Sequence, residues 1–271
     1  MIAGLDWGGS FADAVLWDNQ LKATYSVPSR ETTAEQLLAG LLNQENVNPE
    51  NIDAVALTGG DARRVEQKLL GVPVAIQDEI ASIARGARHV SELPEAVAVS
   101  CGTGTAIVYF LEDEGFHSLH LGGTAVGGGT LEGLARAWLG VEVTELEKLA
   151  QTGHALDLTV GDIVGSGIGM VPADATASHL AKATKEAKRE DAAKSLLHLV
   201  AETIGTVASL AADKTGCNEL VFTGRVAKNH VIRERIRKTT KLYGKNTHFP
   251  EKPEYATAMG AVLESTTQKK G

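Results

Sequence analysis

Four short stretches of Gly and hydroxyl side chains carry the residues able to do chemistry, and each follows an apolar run that reads as a strand. The first is Asp6-Trp7-Gly8-Gly9-Ser10. Its glycines let backbone N–H groups approach an anion without Cβ interference. Ser10 can donate to a phosphate oxygen, and Asp6 can hold Mg2+ directly or through water. The second stretch, Gly102-Thr103-Gly104-Thr105, repeats that logic at another strand end. The third runs from Gly122 to Thr130 and includes Gly127, Gly128 and Gly129, just ahead of an apolar helix whose N-terminal amides suit an anion. The fourth, Thr223 to Asn229 (TGRVAKN), is a strand-turn-helix junction suited to adenosine, with Gly224 against purine or ribose and Asn229 capping the helix or touching the nucleoside. A plain tight turn or a Gly-rich cap calls for the same residue types, so each stretch alone is weak. Two such loops at corresponding strand ends suit a clamp on a polyphosphate from both sides. Neither a GxxxxGK[ST] loop nor a GxGxxG opening a first strand-turn-helix unit is present.

The elements that position these loops follow from the hydrophobic pattern. Strands are expected at Ile2 to Leu5, Ala14 to Trp17 and Lys22 to Val27, with a helix over 33–43 capped by Thr32 or Thr33. The apolar run Ile52 to Leu57 ends at Thr58-Gly59-Gly60, followed by a helix through Arg63 to Leu70, a strand at Val72 to Ile76 and a helix from Glu79 to Arg88. Near Leu93-Pro94 the pattern restarts: strands at Ala96 to Ser100, Ala106 to Leu111 and Ser118 to Leu121, then a helix from Leu131. A long helix over Ala192 to Ala212, a strand at Leu220 to Phe222, a helix from Asn229 and a helical tail from Tyr255 to Glu264 complete the chain. Both halves open as strand, Gly turn, strand, turn, strand, which reads as an internal duplication in an α/β protein with mixed sheets flanked by helices. The expected division is 1–94 and 95–271, with the closing helix able to return to the first half.

Composition narrows the class. With 271 residues, 43% hydrophobic and 22% charged, the chain can bury a substantial core over two domains. The formal net charge of −8 gives no basic excess for nucleic acid or an acidic membrane, so an anionic nucleotide depends on local amides, a metal ion or a few cations. Cys101 and Cys217 are too few for a disulfide framework or a four-ligand zinc site. The opening MIAGLDWGG lacks a basic segment followed by an apolar one, and the expectation is a cytoplasmic protein.

The ordered motifs DxGGS, LTGGDA (57 to 62), GTGT (102 to 105), GGTAVGGGTLEGL (122 to 134) and TGRVAKN (223 to 229) resemble the fold shared by actin, Hsp70 and sugar kinases. Within that fold the chain most resembles type II pantothenate kinases, along nearly its whole length; ELEKLAQTGHALDLTVGDI (145 to 163) and AMGAV (258 to 262) also fit. The resemblance implies two ribonuclease H-like halves, ATP and Mg2+ in the cleft between them, a homodimer, and phosphorylation of pantothenate or a pantothenate-like alcohol. Glu79 is implied as the base on the acceptor hydroxyl, although Asp78 and Glu79 also read as N-cap and first-turn acids of a helix. His120, Gly122 and Thr176 are the acceptor-binding candidates, and Asp6 and Asp13 the metal candidates. Two positions depart from the family: Asp13 stands where a lysine usually reaches the ATP phosphates, and His120 where an arginine usually supports the transferred group. Replacement cations are to be sought among His117, Arg136, Arg225 and Lys228. A kinase for another small hydroxylated substrate and a nucleotide-binding regulatory protein of the same fold are the alternatives.

Overall fold

The computed structural model describes residues 1–60, 62 and 65–268. The first sheet holds β1 (Ile2–Trp7), β2 (Phe11–Trp17), β3 (Leu21–Pro28), β4 (Ala54–Thr58), β5 (Lys68–Leu69) and β6 (Val72–Ile76), in the order β3-β2-β1-β4-β6-β5. The second is built from β7 (Glu95–Cys101), β8 (Thr105–Glu112) and β9 (Phe116–Thr124), with β12 (Glu219–Thr223) and β13 (Asn246–His248). Its order, β13-β12-β7-β8-β9, is the first sheet's plan read from the other end. In both, a three-strand antiparallel meander is extended by parallel strands beside its first member. The duplication inferred from the sequence is thus a duplication of topology. Two short strands, β10 (Leu158–Thr159) and β11 (Thr176–Ser178), pair as a separate ribbon.

Helices α1 (Ala34–Gln44), α2 (Glu79–Ser91), α3 (Gly128–Leu134), α4 (Leu146–Ala150), α5 (Val160–Val164), α6 (Arg189–Asp213), α7 (His230–Leu242) and α8 (Ala256–Gln268) cover the sheets. Central strand β7 shows why the run EAVAVSC is apolar throughout. Val97, Val99 and Cys101 enter the core beneath α6, while Ala96 and Ala98 alternate to the face covered by α2. The helices between the sheets are exchanged. Helix α2 packs Ile83, Ala84 and Ala87 on the second sheet, whereas α8 packs Ala258, Met259 and Val262 against Val15, Trp17 and Ala56 of the first. The two helices cross at backbone contact: a side chain at Gly86 would overlap the carbonyl of Ala256, and one at Gly260 the carbonyl of Ser82.

Several element limits differ from the sequence reading. Strand β2 begins at Phe11 rather than Ala14, so Gly8, Gly9 and Ser10 form a tight turn. The expected helix through Arg63 to Leu70 is a strand at Lys68–Leu69, turned back onto Val72 and Pro73 by Leu70 (φ 50°) and Gly71 (φ 81°); Arg63 and Arg64 lie outside the described residues. Helix α3 begins at Gly128, inside the glycine run, rather than at Leu131. Thr33, not Thr32, caps α1, accepting from Gln36 N at 3.2 Å while Gln36 Oε1 accepts from Thr33 N at 2.9 Å. Helix α6 is long and apolar enough by composition to cross a membrane, but Leu196, Val200, Ile204 and Ala208 are fully buried in the second core. Those residues pack on its own sheet, while Leu210 near its end is 53% exposed.

Candidate active site

The two hairpin loops meet. Ser10 Oγ lies 3.0 Å from Thr103 Oγ1, joining the first loop of one sheet to the corresponding loop of the other across 93 residues. Each loop is closed beneath by a glycine of the neighbouring parallel strand. Gly59 (φ 101°) sits against the backbone of Trp7, and Gly224 (φ 83°) against that of Cys101. Any side chain at either position would collide with main-chain atoms, so the second pair repeats the first for a steric reason.

The third loop braces the second. Gly128 N donates to Gly102 O at 2.8 Å and Gly129 N to Thr103 O at 2.9 Å, while Thr105 Oγ1 donates to Val126 O at 2.9 Å. Thr130 Oγ1 donates to Ala125 O at 3.3 Å and accepts from Gly127 N at 3.3 Å. Two of these helix-start amides, those of Gly128 and Gly129, thus serve the carbonyls of Gly102 and Thr103 rather than an anion. Gly104 also fits against this loop, facing Thr124 O.

A cavity of about 440 Å3 opens beside these loops. Ser10, Gly102, Thr103 and Gly128 form one edge, and Leu131, Val143, Leu197, Val226 and Ile232 give it apolar walls. That combination, an apolar slot with hydroxyls and backbone at one end, matches a nucleoside with a phosphate tail. Asn229 lines the cavity and caps α7, accepting from Ile232 N at 3.0 Å. Arg225 and Lys228 are the cavity's cations. Lys228 Nζ is paired with Glu254 Oε1 at 2.6 Å.

Asp6, next to last in β1, lies opposite Asp13 on β2 and beside Thr58 on β4. Burial, reinforced by the charges of Asp13 and Glu79, pushes its carboxyl up to about 7. Glu79 is the exposed first residue of α2, and Asp78 caps that helix, accepting from Ala81 N at 2.9 Å. The structure therefore brings Asp6, Asp13 and Glu79 into one electrostatic neighbourhood. Among the described residues no group of three or more His, Cys, Asp or Glu side chains is arranged to hold a metal by itself. Asp13 is engaged instead with Arg225 Nη2 at 2.6 Å and Ser26 Oγ at 2.5 Å. Burial raises its carboxyl, and the Arg225 charge and these hydrogen bonds oppose that rise.

The acceptor candidates are not brought together. His120 is exposed on β9 opposite Val108, beside the bulge at which Gly122 (φ 135°) pairs with Ile107. Thr176 lies on β11, donating to Glu202 Oε1 at 2.7 Å and bonded to Arg235, in a second cavity of about 700 Å3 that shares none of the first cavity's lining. Of the other cations considered, His117 pairs with Asp113 at 3.5 Å and Arg136 with Glu132 at 2.8 Å.

One buried network was not legible beforehand. Asp157 accepts from Leu180 N at 3.0 Å and meets His198 Nδ1 at 3.3 Å, while His179 lies at ion-pair distance from two carboxylates, Nδ1 3.4 Å from Asp157 Oδ1 and Nε2 3.4 Å from Glu202 Oε2. Burial disfavours a charged His179, but the neighbouring carboxylates of Asp157 and Glu202 prevail and raise it to about 9. His198 and Glu202 stand one helical turn apart on α6, but Asp157 and His179 come from separate segments, so only folding unites the four.

A family model described as Fumble matches residues 94–264, more than half of the chain. The type II pantothenate kinase of Bacillus anthracis is 25% identical over 98% of this chain and 98% of its own. Among solved structures, the activator of 2-hydroxyisocaproyl-CoA dehydratase from Clostridium difficile with bound ADPNP superposes with TM-score 0.69 at 19% identity, covering 100% of this chain and 97% of that one. A ROK family glucokinase from Streptomyces griseus in complex with glucose and AMPPNP gives 0.63 at 14% identity, covering 98% and 99%. These structural likenesses establish the actin-like ATPase fold, and the matching family model, which runs from β7 into α8, identifies this chain as a member of the Fumble family, that of the type II pantothenate kinases.

Proposed function

We propose that this chain transfers the terminal phosphoryl group of ATP to pantothenate or a pantothenate-like alcohol such as pantetheine, the first step of coenzyme A biosynthesis. The observation that carries the reading is the meeting of the two hairpin loops at Ser10 and Thr103, beside a nucleoside-sized cavity and next to Asp6 and Glu79. The full-length similarity to a type II pantothenate kinase supports the choice of acceptor. The halves 1–94 and 95–271 form the two sides of the cleft in this reading, with α2 and α8 exchanged between them.

Glu79 accepts the acceptor's hydroxyl proton as its oxygen bonds to the γ-phosphorus and the bond to the ADP oxygen breaks. Ser10 and Thr103 hold phosphate oxygens with their hydroxyls, and Gly224 and Asn229 border the nucleoside. Asp6 is the residue to hold Mg2+. Its carboxyl, raised by burial and by two neighbouring carboxylates, sits in excess negative charge that a divalent cation relieves. A divalent cation held there would supply charge neutralisation for the phosphates. The chain acts in the cytoplasm as a homodimer in this reading. The exposed apolar residues Ile163, Ile168 and Met170 support a second copy covering that face.

The test is ADP formation with pantothenate, with pantetheine and without acceptor, in wild type and Glu79→Ala. Acceptor-dependent turnover that falls roughly 10²- to 10⁴-fold in the variant agrees with the proposal. Turnover indifferent to both acceptors redirects the protein to another alcohol or to a nucleotide-switch role.

A further inference from the structure

Arg225 occupies an unusual position. It stands on the turn after β12, in the second half of the molecule, yet its guanidinium reaches the first sheet. There Nη2 donates to Asp13 Oδ1 at 2.6 Å and to Ser26 Oγ at 2.5 Å, and the guanidinium lies 4.0 Å from the centre of the Phe11 ring. Ser26 also donates to the same Asp13 oxygen at 2.5 Å. The side chain therefore spans the cleft between the two hairpins, over sequence separations of 212 and 199 residues.

Its hydrogen bonding is incomplete. Both bonds run through Nη2, while the buried Nε has no acceptor among the described residues. An arginine carries five N–H donors in a fixed fork, and a buried donor left without an acceptor is costly. The same side chain lines the nucleoside-sized cavity together with Ser10, Thr103 and Gly128. An oxyanion at this edge of the cavity supplies the acceptors the fork lacks, in the planar geometry guanidinium favours. The other nearby cation, Lys228, is already matched by Glu254.

We propose that Arg225 is the residue that binds the nucleotide's phosphate oxygens in this chain, with Asp13, Ser26 and Phe11 fixing its guanidinium across the cleft. This assignment rests on the reading of the cavity as an ATP site. Asp13 acts through Arg225 as a positioning residue and not as a direct ligand of the metal. Because the arginine and its anchors belong to opposite halves of the molecule, phosphate binding and apposition of the two halves are coupled through one side chain. A lysine at position 13 would return a cation to the same edge of the cavity from the opposite half.

The experiment is calorimetric binding of Mg-ATP and of adenosine to four proteins: wild type, Arg225→Ala, Asp13→Asn, and the double variant Asp13→Lys with Arg225→Ala. Arg225→Ala is expected to weaken ATP binding about 10- to 100-fold and adenosine binding less than about threefold. The double variant is expected to recover most of the ATP loss, and Asp13→Asn to weaken ATP binding about three- to tenfold. Arg225→Lys, which keeps the charge and loses the fork, is the substitute variant if a melting curve shows Arg225→Ala unfolded; it is expected to weaken ATP binding about three- to tenfold. Equal losses for ATP and adenosine, unchanged ATP affinity in the arginine variants, or no recovery in the double variant would each overturn the assignment. A wild-type chain that binds no ATP sinks the nucleotide-site reading itself, a result distinct from a wild type that binds ATP and a variant that binds it equally well.

Discussion

Replacing Asp6 by Asn tests the electrostatics of the cleft without any assumption about substrate. Asp6 is held in a poorly solvated place beside Asp13 and Glu79, which raises its carboxyl from 3.8 to about 7. In the unfolded chain the same group titrates near 3.8. Between those values the folded protein keeps a proton that the unfolded chain releases, so this group's contribution to stability falls as pH rises from about 4 to about 7. Above pH 7 both states are ionised and the full cost of the buried charge is present. At about 1.4 kcal/mol for each pH unit separating the folded from the unfolded titration, that cost has an upper limit of about 4 kcal/mol. Asn is nearly isosteric and uncharged. In metal-free buffer, Asp6→Asn should match wild type within about 0.5 kcal/mol near pH 4 and exceed it by about 2–4 kcal/mol at pH 8. Urea denaturation at the two pH values, followed by circular dichroism, measures both numbers. Mg2+ added at pH 8 should narrow the gap, because a cation that binds only the folded wild type stabilises it by mass action. A difference between the proteins that does not vary with pH, or a loss of stability in the variant at pH 8, would refute the reasoning.

Other consequences are equally direct. His179, raised to about 9 by Asp157 and Glu202, contributes stability that is fully present below about pH 6.5 and lost as pH rises through 9. His179→Gln should therefore cost about 2–3 kcal/mol at pH 6 and progressively less above pH 9, read from melting curves across that range. Gly224→Ala should destabilise the fold by at least about 2 kcal/mol, because φ is 83° and a Cβ meets the Cys101 backbone; a melting temperature unchanged from wild type contradicts that geometry. Asn229→Ala removes the cap on α7 and should cost about 1 kcal/mol in urea denaturation while also weakening nucleotide binding.

Features that depend on local pattern were legible in the amino-acid sequence. The apolar runs of β1 and β7, capping at Thr33 and Asp78, and the positions of the Gly turns follow from side-chain period, hydrogen-bonding chemistry and steric freedom within a few residues. The order of those turns was enough to suggest a duplicated α/β fold and a nucleotide cleft, because each half repeats the same local grammar. The short strand at Lys68–Leu69 escaped that reading, since two residues are too few to show a period. Which groups meet was settled only by the folded arrangement. Nothing local indicates that the Gly128 and Gly129 amides are engaged by Gly102 and Thr103, that Thr176 lies apart with Glu202 and Arg235, or that α2 packs on the second sheet. Of the four candidate cations the fold sets Arg225 and Lys228 in the cavity wall and ties Arg225 to Asp13, 212 residues away. Pairing at that distance is set by how two separately formed sheets come together, and a linear pattern carries no record of it.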